Sequence, residues 1–65
     1  MSEIDDVKAE IKKLSAQAIK AKMDLHDLSE ELPVGWETVV TLAQQTQTAY
    51  QKLQDARERL KRLEG

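Results

Sequence analysis

The amino-acid sequence predicts an all-α protein, an antiparallel two-helix hairpin of the coiled-coil type that dimerises into a four-helix bundle. Two stretches of the chain carry apolar residues at alternating spacings of three and four, the heptad pattern of helices that pack along a seam. The segment Leu32-Pro33-Val34-Gly35 separates them and contains the only proline and the only internal glycine. Because proline disfavours the helical conformation in the residue before it, the first helix should end there.

The composition allows one small domain, residues 1–65, and excludes several protein classes. Hydrophobic residues make up 40% of the chain, but seven are alanine and only two are aromatic, so no large globular core can be built. Because cysteine is absent, disulfide scaffolds and zinc ribbons are excluded. No apolar run exceeds two residues, so we expect neither a membrane span nor a signal peptide, and hence a soluble, cytoplasmic protein.

The first helix is predicted over about residues 3–31. Ser2 can cap its N-terminus, and three acidic residues in the first turn face the positive end of the helix dipole. The seam positions of this helix are Ile4, Val7, Ile11, Leu14, Ala18, Ala21, Leu25, Leu28 and Leu32.

The turn is predicted at about residues 32–35 and the second helix over about 36–63. The seam positions of this helix are Val39, Leu42, Thr46, Ala49, Leu53, Ala56, Leu60 and Leu63. The basic residues of its last turns are Arg57, Arg59, Lys61 and Arg62. In an antiparallel hairpin these cations lie beside the acidic start of the first helix, so the charges also predict that the chain folds back on itself.

A single pairing fixes the register of the two helices. If Leu28 faces Val39, the two residue numbers add to 67, and every other seam pair then adds to the same number, down to Ile4 with Leu63. One seam leaves the far side of each layer in water, so a single hairpin buries too little apolar surface. We therefore expect self-association into a two-fold dimer.

Apolar residues outside the seams have several interpretations. Ala43 and Tyr50 flank the seam of the second helix, and we expect a second hairpin to bury them. Ile19 and Met23 lie farther from the seam. They fit a second packing face within a homo-oligomer, a surface for another protein, or ordinary exposed apolar residues.

No catalytic residues are predicted, because the chain has no phosphate-binding loop and no serine with both an oriented histidine and an acid. We therefore expect a protein that is not an enzyme. His26 and Glu30 are four residues apart on a helix and could hold a divalent metal weakly. A solvated histidine paired with Glu30 is the simpler interpretation, and no cofactor is expected.

Two short motifs give the chain a family resemblance that heptads alone would not. They are K-M-D-L-H-D-L at residues 22–28 and L-P-x-x-W-E at residues 32–37. Over about residues 11–63 the sequence resembles the small Rop-like proteins encoded in bacterial nitrogen-fixation operons. The resemblance implies a dimerising hairpin with a role in nitrogen fixation, and metal binding has been proposed within the family. An acidic residue usually precedes the tryptophan in that family, whereas Gly35 here is expected to be a weaker helix cap.

The residues that carry the resemblance cluster near the predicted hairpin tip. Carried over position by position, they imply a partner-binding surface composed of Met23, Asp24, His26, Asp27, Trp36 and Glu37. In one interpretation Trp36 anchors a nitrogenase component or a maturation protein, and the polar residues form its rim. In the other, Trp36 packs back on Leu32 and Leu28 and only closes the turn.

The expected function is a non-enzymatic accessory protein of nitrogen fixation, acting as a dimeric helical protein–protein adaptor. One alternative is a metal-binding or metal-carrier protein that uses His26. The other is a Rop-like hairpin that binds RNA through its basic C-terminal turns. Because those cations point in different directions and adjoin acidic residues, we expect no nucleic-acid partner. We expect no membrane partner either.

Overall fold

The computed structural model describes residues 2–65 and shows a helical hairpin, as the sequence predicts. The first helix, α1, spans Glu3–Glu31. A single 3-10 turn follows at Trp36–Thr38, and the second helix, α2, spans Val39–Glu64. The molecule is a rod measuring 48 × 15 × 12 Å along its principal axes. Neither helix in residues 2–65 combines the length and the apolar character needed to span a lipid bilayer.

The N-terminus of α1 is capped by Ser2, which confirms the expectation from the sequence. The Asp5 backbone N–H donates to the Ser2 hydroxyl oxygen at 3.2 Å. The Asp6 N–H donates to the Ser2 carbonyl at 3.1 Å. The first bond satisfies a backbone donor that has no partner inside the helix, and the second is the first bond of the helix itself. Glu3 and the two aspartates interact favourably with the helix dipole.

The core of the hairpin is the seam between α1 and α2. Five residues are buried there, namely Val7, Ala18, Leu28, Leu53 and Ala56. The other eleven seam positions that pair across the predicted register are all partly buried. A core with five buried side chains leaves much apolar surface half exposed to solvent.

Thr46 is a polar residue inside the seam, and its hydroxyl contacts both helices. Its hydroxyl oxygen lies 2.8 Å from the Leu42 carbonyl, one turn back in α2, and 3.3 Å from the Ala21 carbonyl of α1. A threonine hydroxyl commonly bonds a carbonyl one turn back, so this polar group has a partner inside the seam. The contact places Thr46 opposite Ala21, which is its partner in the predicted register, where the numbers of paired residues add to 67.

The two flanks of the seam differ in polarity. We call one of them the polar flank; it contains no apolar residue. Its residues are Asp6, Glu10, Lys13, Gln17, Lys20, Asp24, Asp27 and Glu31 on α1 and Thr41, Gln45, Thr48, Lys52, Asp55, Arg59 and Arg62 on α2. The opposite flank, called the apolar flank, carries Ile19, Val40, Ala43 and Tyr50, with Met23 at its outer edge. Charged residues also lie on this flank, among them Lys8, Lys12, Lys22, Arg57, Lys61 and Glu64. Helical periodicity assigns each residue to its flank.

Ion pairs join the helices at the open end of the hairpin, on both flanks. Arg59 pairs with Glu10 on the polar flank. Lys8 lies 4.0 Å from the Glu64 carboxylate on the other flank. The acidic and basic ends of the chain therefore lie side by side, although such exposed pairs contribute at most about 1 kcal/mol each.

The turn ends α1 where proline predicts, but α2 starts later than expected. The Leu32 N–H donates to the Leu28 carbonyl at 3.1 Å, and the Trp36 N–H donates to the Pro33 carbonyl at 3.3 Å. The α-helix begins at Val39 rather than at Trp36, because the chain first forms the 3-10 turn. Leu32 therefore lies in the turn and is 45% exposed, although the heptad pattern assigns it to the seam.

Gly35 has a stronger role than that of a weak helix cap. Its φ of +79° lies in the left-handed region, which side-chain-bearing residues rarely adopt. A Cβ atom at this position would lie 3.0 Å from Leu28 Cδ1, tighter than ordinary contacts. The glycine thus allows the backbone of the turn to approach the buried Leu28, and an acidic residue would be strained here.

We predict that Gly35→Ala destabilises the hairpin and that Gly65→Ala does not. The left-handed conformation costs an alanine about 1–2 kcal/mol, and displacing Leu28 adds to this, so the melting temperature should fall by about 5 °C or more. Gly65 also has a positive φ, of +98°, but a Cβ there meets nothing within 4 Å. Thermal melts followed by circular dichroism at equal protein concentration measure both variants. Superimposable curves for Gly35→Ala and the wild type would contradict the turn geometry.

Candidate partner-binding site at the hairpin tip

The turn exposes a group of large apolar residues, which we call the tip patch. Its members are Leu32, Val34, Trp36 and Val40, which are 45%, 70%, 65% and 66% exposed. All four lie within nine consecutive residues around the turn. Exposed apolar residues gathered in one place are typical of binding surfaces, whereas single ones are common everywhere.

Trp36 is not buried at the turn. If its indole closed the turn, most of its surface would be covered by Leu28 and Leu32. Instead Trp36 is 65% exposed and Leu32 is 45% exposed, while Gly35 is the residue whose backbone approaches Leu28. The interpretation that Trp36 only closes the turn therefore finds little support in the packing, and the indole remains available to a partner.

The six residues that the sequence assigns to partner binding do not form one continuous surface. Only Trp36 and Glu37 lie at the turn itself, and both are exposed. Met23 is 50% exposed but lies about 12 Å before the end of α1, at 1.5 Å per residue. The two aspartates of the set belong to the polar flank, whereas His26 and Met23 lie on the other side of α1. These residues therefore do not lie in one ring around Trp36, and their part in partner binding stays a prediction.

The environments of the aspartates differ. Asp24 is partly buried and accepts a hydrogen bond from Lys20 Nζ at 3.2 Å. Asp27 is exposed, and one of its carboxylate oxygens lies 3.8 Å from His26 Nδ1. Asp24 is therefore already paired within its own helix, which makes it a less available contact for a partner than Asp27.

Three members of the tip patch are absent from the set that the sequence predicted. Val34 lies between the proline and the glycine of the turn, where apolar residues have no helix to pack against. Val40 follows a seam residue directly and is therefore directed away from the seam. The sequence shows both as apolar residues outside the heptad seam. Leu32, in contrast, fits the seam pattern and is exposed because α1 ends before it.

Charge is unevenly distributed along the rod. Residues 23–44, which pair with one another at the turn end of the hairpin, contain no lysine or arginine. Their acidic residues are Asp24, Asp27, Glu30, Glu31 and Glu37. The remaining residues carry ten basic and seven acidic side chains, so the formal charges of the turn end and of the rest of the hairpin are −5 and +3. The tip patch therefore lies in a negative field.

His26 sits beside two carboxylates on the surface of α1. Its Nε2 atom lies 3.4 Å from Glu30 Oε1, and all three side chains are more than half exposed. Within residues 2–65, no group of three or more histidine, cysteine, aspartate or glutamate side chains is arranged to hold a metal ion. One imidazole with a single close carboxylate can supply only weak coordination.

The basic C-terminal turns do not form a phosphate-binding surface. Arg59 is engaged by Glu10 across the seam. Arg59 and Arg62 belong to the polar flank, whereas Arg57 and Lys61 lie on the opposite side of α2. The cations are thus divided between two flanks, and this arrangement disfavours the RNA-binding alternative.

Comparisons with known proteins place this hairpin in a class of small two-helix proteins. The sequence model of the Rop-like family matches residues 2–65, and the chain belongs to this family, as its motifs indicated. The NMR structure of a structural-genomics target protein is 48% identical, with a TM-score of 0.87, and the match covers 98% of this chain and 92% of that one.

Relatives of known sequence are also similar over most of this chain. A UPF0437 protein of Azorhizobium caulinodans is 55% identical over 65 residues, which cover 100% of this chain and 94% of the relative. A relative from Frankia alni is named as a UPF0437 protein in the nifX-nifW intergenic region; it is 44% identical over 43 residues, 66% of this chain and 52% of the relative. That name places one relative beside nif genes.

For metal binding we predict weak affinity centred on His26. Calorimetric titration with zinc, nickel or ferrous iron should give dissociation constants no tighter than about micromolar, because one imidazole and one or two carboxylates are too few ligands for a strong site. His26→Ala should abolish the binding and Glu30→Gln should weaken it. Ser29→Ala, which removes a neighbouring hydroxyl, is the control and should have no effect. A submicromolar site lost in His26→Ala would contradict this prediction and favour a metal carrier.

Proposed function

We propose that this protein is a non-enzymatic accessory protein of nitrogen fixation, a dimeric helical adaptor that binds a partner protein through the tip of the hairpin. The observation that carries the proposal is the exposure of Trp36 within the tip patch. Tryptophan is among the residues most enriched at the energetic centres of protein interfaces. The Frankia alni relative named for its position between nifX and nifW supports the nitrogen-fixation context.

Dimerisation is supported first by surface area. A compact monomer of 7.4 kDa is expected to expose about 4,200 Å². The hairpin exposes 5150 Å². The excess, roughly 950 Å², is close to the ~800 Å² that each partner buries in a stable interface of standard size. A second copy that packs along the rod would remove this excess.

The composition of the flanks supports one particular dimer face. The polar flank offers no apolar side chain, whereas the apolar flank exposes Ile19, Val40 and Tyr50 to 55%, 66% and 39%. Two hairpins packed through their apolar flanks form a four-helix bundle in which these residues are covered. A two-fold axis perpendicular to the rods keeps the two acidic halves at opposite ends, which lowers their mutual repulsion.

The non-enzymatic assignment rests on how the polar residues are arranged. The Ser29 hydroxyl donates to the His26 carbonyl at 2.7 Å instead of facing the imidazole. His26 itself is exposed on a helix surface, outside any enclosed cavity that could exclude water. A metal-carrier role remains the second candidate because His26 and Glu30 do adjoin, and the titration described above distinguishes it from the adaptor.

For the dimer, we predict that sedimentation at micromolar concentration reports twice 7.4 kDa. Tyr50→Glu should raise the dissociation constant by roughly a hundredfold, since burying an unpaired carboxylate costs about 3 kcal/mol or more. Thr48→Glu introduces the same charge on the polar flank and should leave the dimer intact. A folded monomer, or equal effects of the two variants, would show that the apolar flank is not the interface.

For docking, we predict that Trp36→Ala loses its partner without losing its fold. Because Trp36 is largely exposed, its removal should change the melting temperature by less than about 5 °C. Capture of the nitrogenase-related partner from nitrogen-fixing cells should decrease at least about tenfold, the loss typical of an interface anchor. Gln17→Ala, which shortens an exposed side chain on the polar flank, away from both the turn and the proposed dimer face, is the control and should retain the partner. Capture by Trp36→Ala at the wild-type level would show that the tip is not the docking site.

A further inference from the structure

We infer that the partner bound by the tip presents an apolar pocket surrounded by lysine and arginine side chains. This inference rests on the docking role proposed above and names the chemistry of the surface that the tip fits. Two features of the tip lead to it, the shape and polarity of its centre and the charge around that centre.

The centre of the tip is convex and apolar. Val34 and Trp36 are 70% and 65% exposed, and they lie at the end of a rod only 15 × 12 Å in cross-section. A narrow convex end has too little area for a flat interface of standard size. It can bind well only by inserting its apolar side chains into a concave site, where they are desolvated on several sides.

The surroundings of this centre are acidic and carry no fixed cation. Glu30, Glu31 and Glu37 border the turn, and all three are exposed. Among the described residues, no lysine or arginine forms an ion pair with any of them; Glu30 lies 3.4 Å from the His26 ring. Within residues 2–65 these carboxylates therefore have no lysine or arginine partner, and they can meet one on a partner protein.

The proposed dimer does not cover these carboxylates. Glu31 belongs to the polar flank, Glu30 is on the outer face of α1, and Glu37 is in the turn, so none of them lies on the apolar flank. Dimerisation through the apolar flank covers Val40, the one residue that the tip patch shares with that flank, and leaves the acidic surface of each tip exposed. The charge is thus available at the same time as Trp36.

Complementary charge favours a basic protein surface over other partners. Nucleic acids and anionic membranes are repelled by a tip whose exposed carboxylates, Glu30, Glu31 and Glu37, form no ion pair with a lysine or arginine of the described residues. Opposite charges around an interface accelerate encounter and fix orientation, while the central aromatic residue supplies affinity. Binding should accordingly depend on both the indole and the ionic strength.

The test uses the full chain with an affinity tag after Gly65, at the end of the rod opposite the tip. The probe is a nuclease-treated extract of nitrogen-fixing cells, applied at about 50 and 300 mM salt, conditions that differ strongly in charge screening. Three variants are compared with the wild type. They are Trp36→Ala, the tip triple Glu30→Gln/Glu31→Gln/Glu37→Gln, and the control triple Asp55→Asn/Glu58→Gln/Glu64→Gln.

The two triple variants change the net charge equally, from −2 to +1, at opposite ends of the molecule. The tip triple should retain about tenfold less partner at low salt, while the control triple should stay within about twofold of the wild type. Raising the salt should release the partner from the wild type and have little further effect on the tip triple. Circular dichroism of each variant shows beforehand that it is folded.

Different results overturn different parts of the argument. If Trp36→Ala loses the partner but the tip triple binds as the control does, the tip docks and the basic pocket is wrong. If Trp36→Ala binds as the wild type does, the docking role fails and the inference fails with it. Binding that disappears on nuclease treatment would identify a nucleic acid instead. Salt-sensitive assemblies larger than a dimer that the tip triple abolishes would identify the basic end of another copy as the occupant.

Discussion

The seam between α1 and α2 is the constraint on which every other surface of this protein depends. A chain of 65 residues in two helices has only one such seam, and it fixes which side of each helix is turned inward. Ala18 is fully buried there, and Thr46 contacts the backbone at Ala21, so the helices approach closely at the middle of the rod. Once this contact is formed, the remaining surface divides into a polar flank, an apolar flank and two ends, and each of these can be assigned a separate role.

The turn depends on the same contact. Leu28 is buried at the last layer of the seam, and the chain can reverse next to it only because Gly35 has no side chain and a positive φ. Gly35 is the turn residue that lies against Leu28 at this layer, and its neighbour Trp36 is 65% exposed.

The sequence predicts those parts of the structure that depend on local or periodic patterns. The hairpin, the first helix and the Ser2 cap belong to this group, because heptad spacing, proline and N-terminal capping act over a few residues. The later start of α2, the exposure of Leu32 and the left-handed Gly35 were not predicted, because they depend on how the turn packs against Leu28 in three dimensions.

The candidate site was predicted less completely than the fold. Motif resemblance drew attention to a stretch of α1 that contains Met23 and Asp24, but these neighbours are directed about 100° apart around the helix and lie away from the turn. The sequence did not assign Val34 and Val40 to partner binding, because neither is a defining residue of a motif. The uneven charge can be counted from the sequence, but only the hairpin brings residues 23–44 together at one end of the rod.

The proposed adaptor uses one surface to dimerise and another to bind partners. In the proposed dimer the apolar flanks are buried against each other, while the two tips project at opposite ends of a bundle as long as the 48 Å rod. Each tip carries its own Trp36 and its own carboxylates, so the dimer is bivalent. Two partner molecules, or two sites on one assembly, can then be bound at a fixed separation, and the second binding event benefits from the first. A variant that dissociates the dimer, such as Tyr50→Glu, would leave each tip intact and still weaken retention by a multivalent partner, which separates the contribution of bivalency from that of the tip itself.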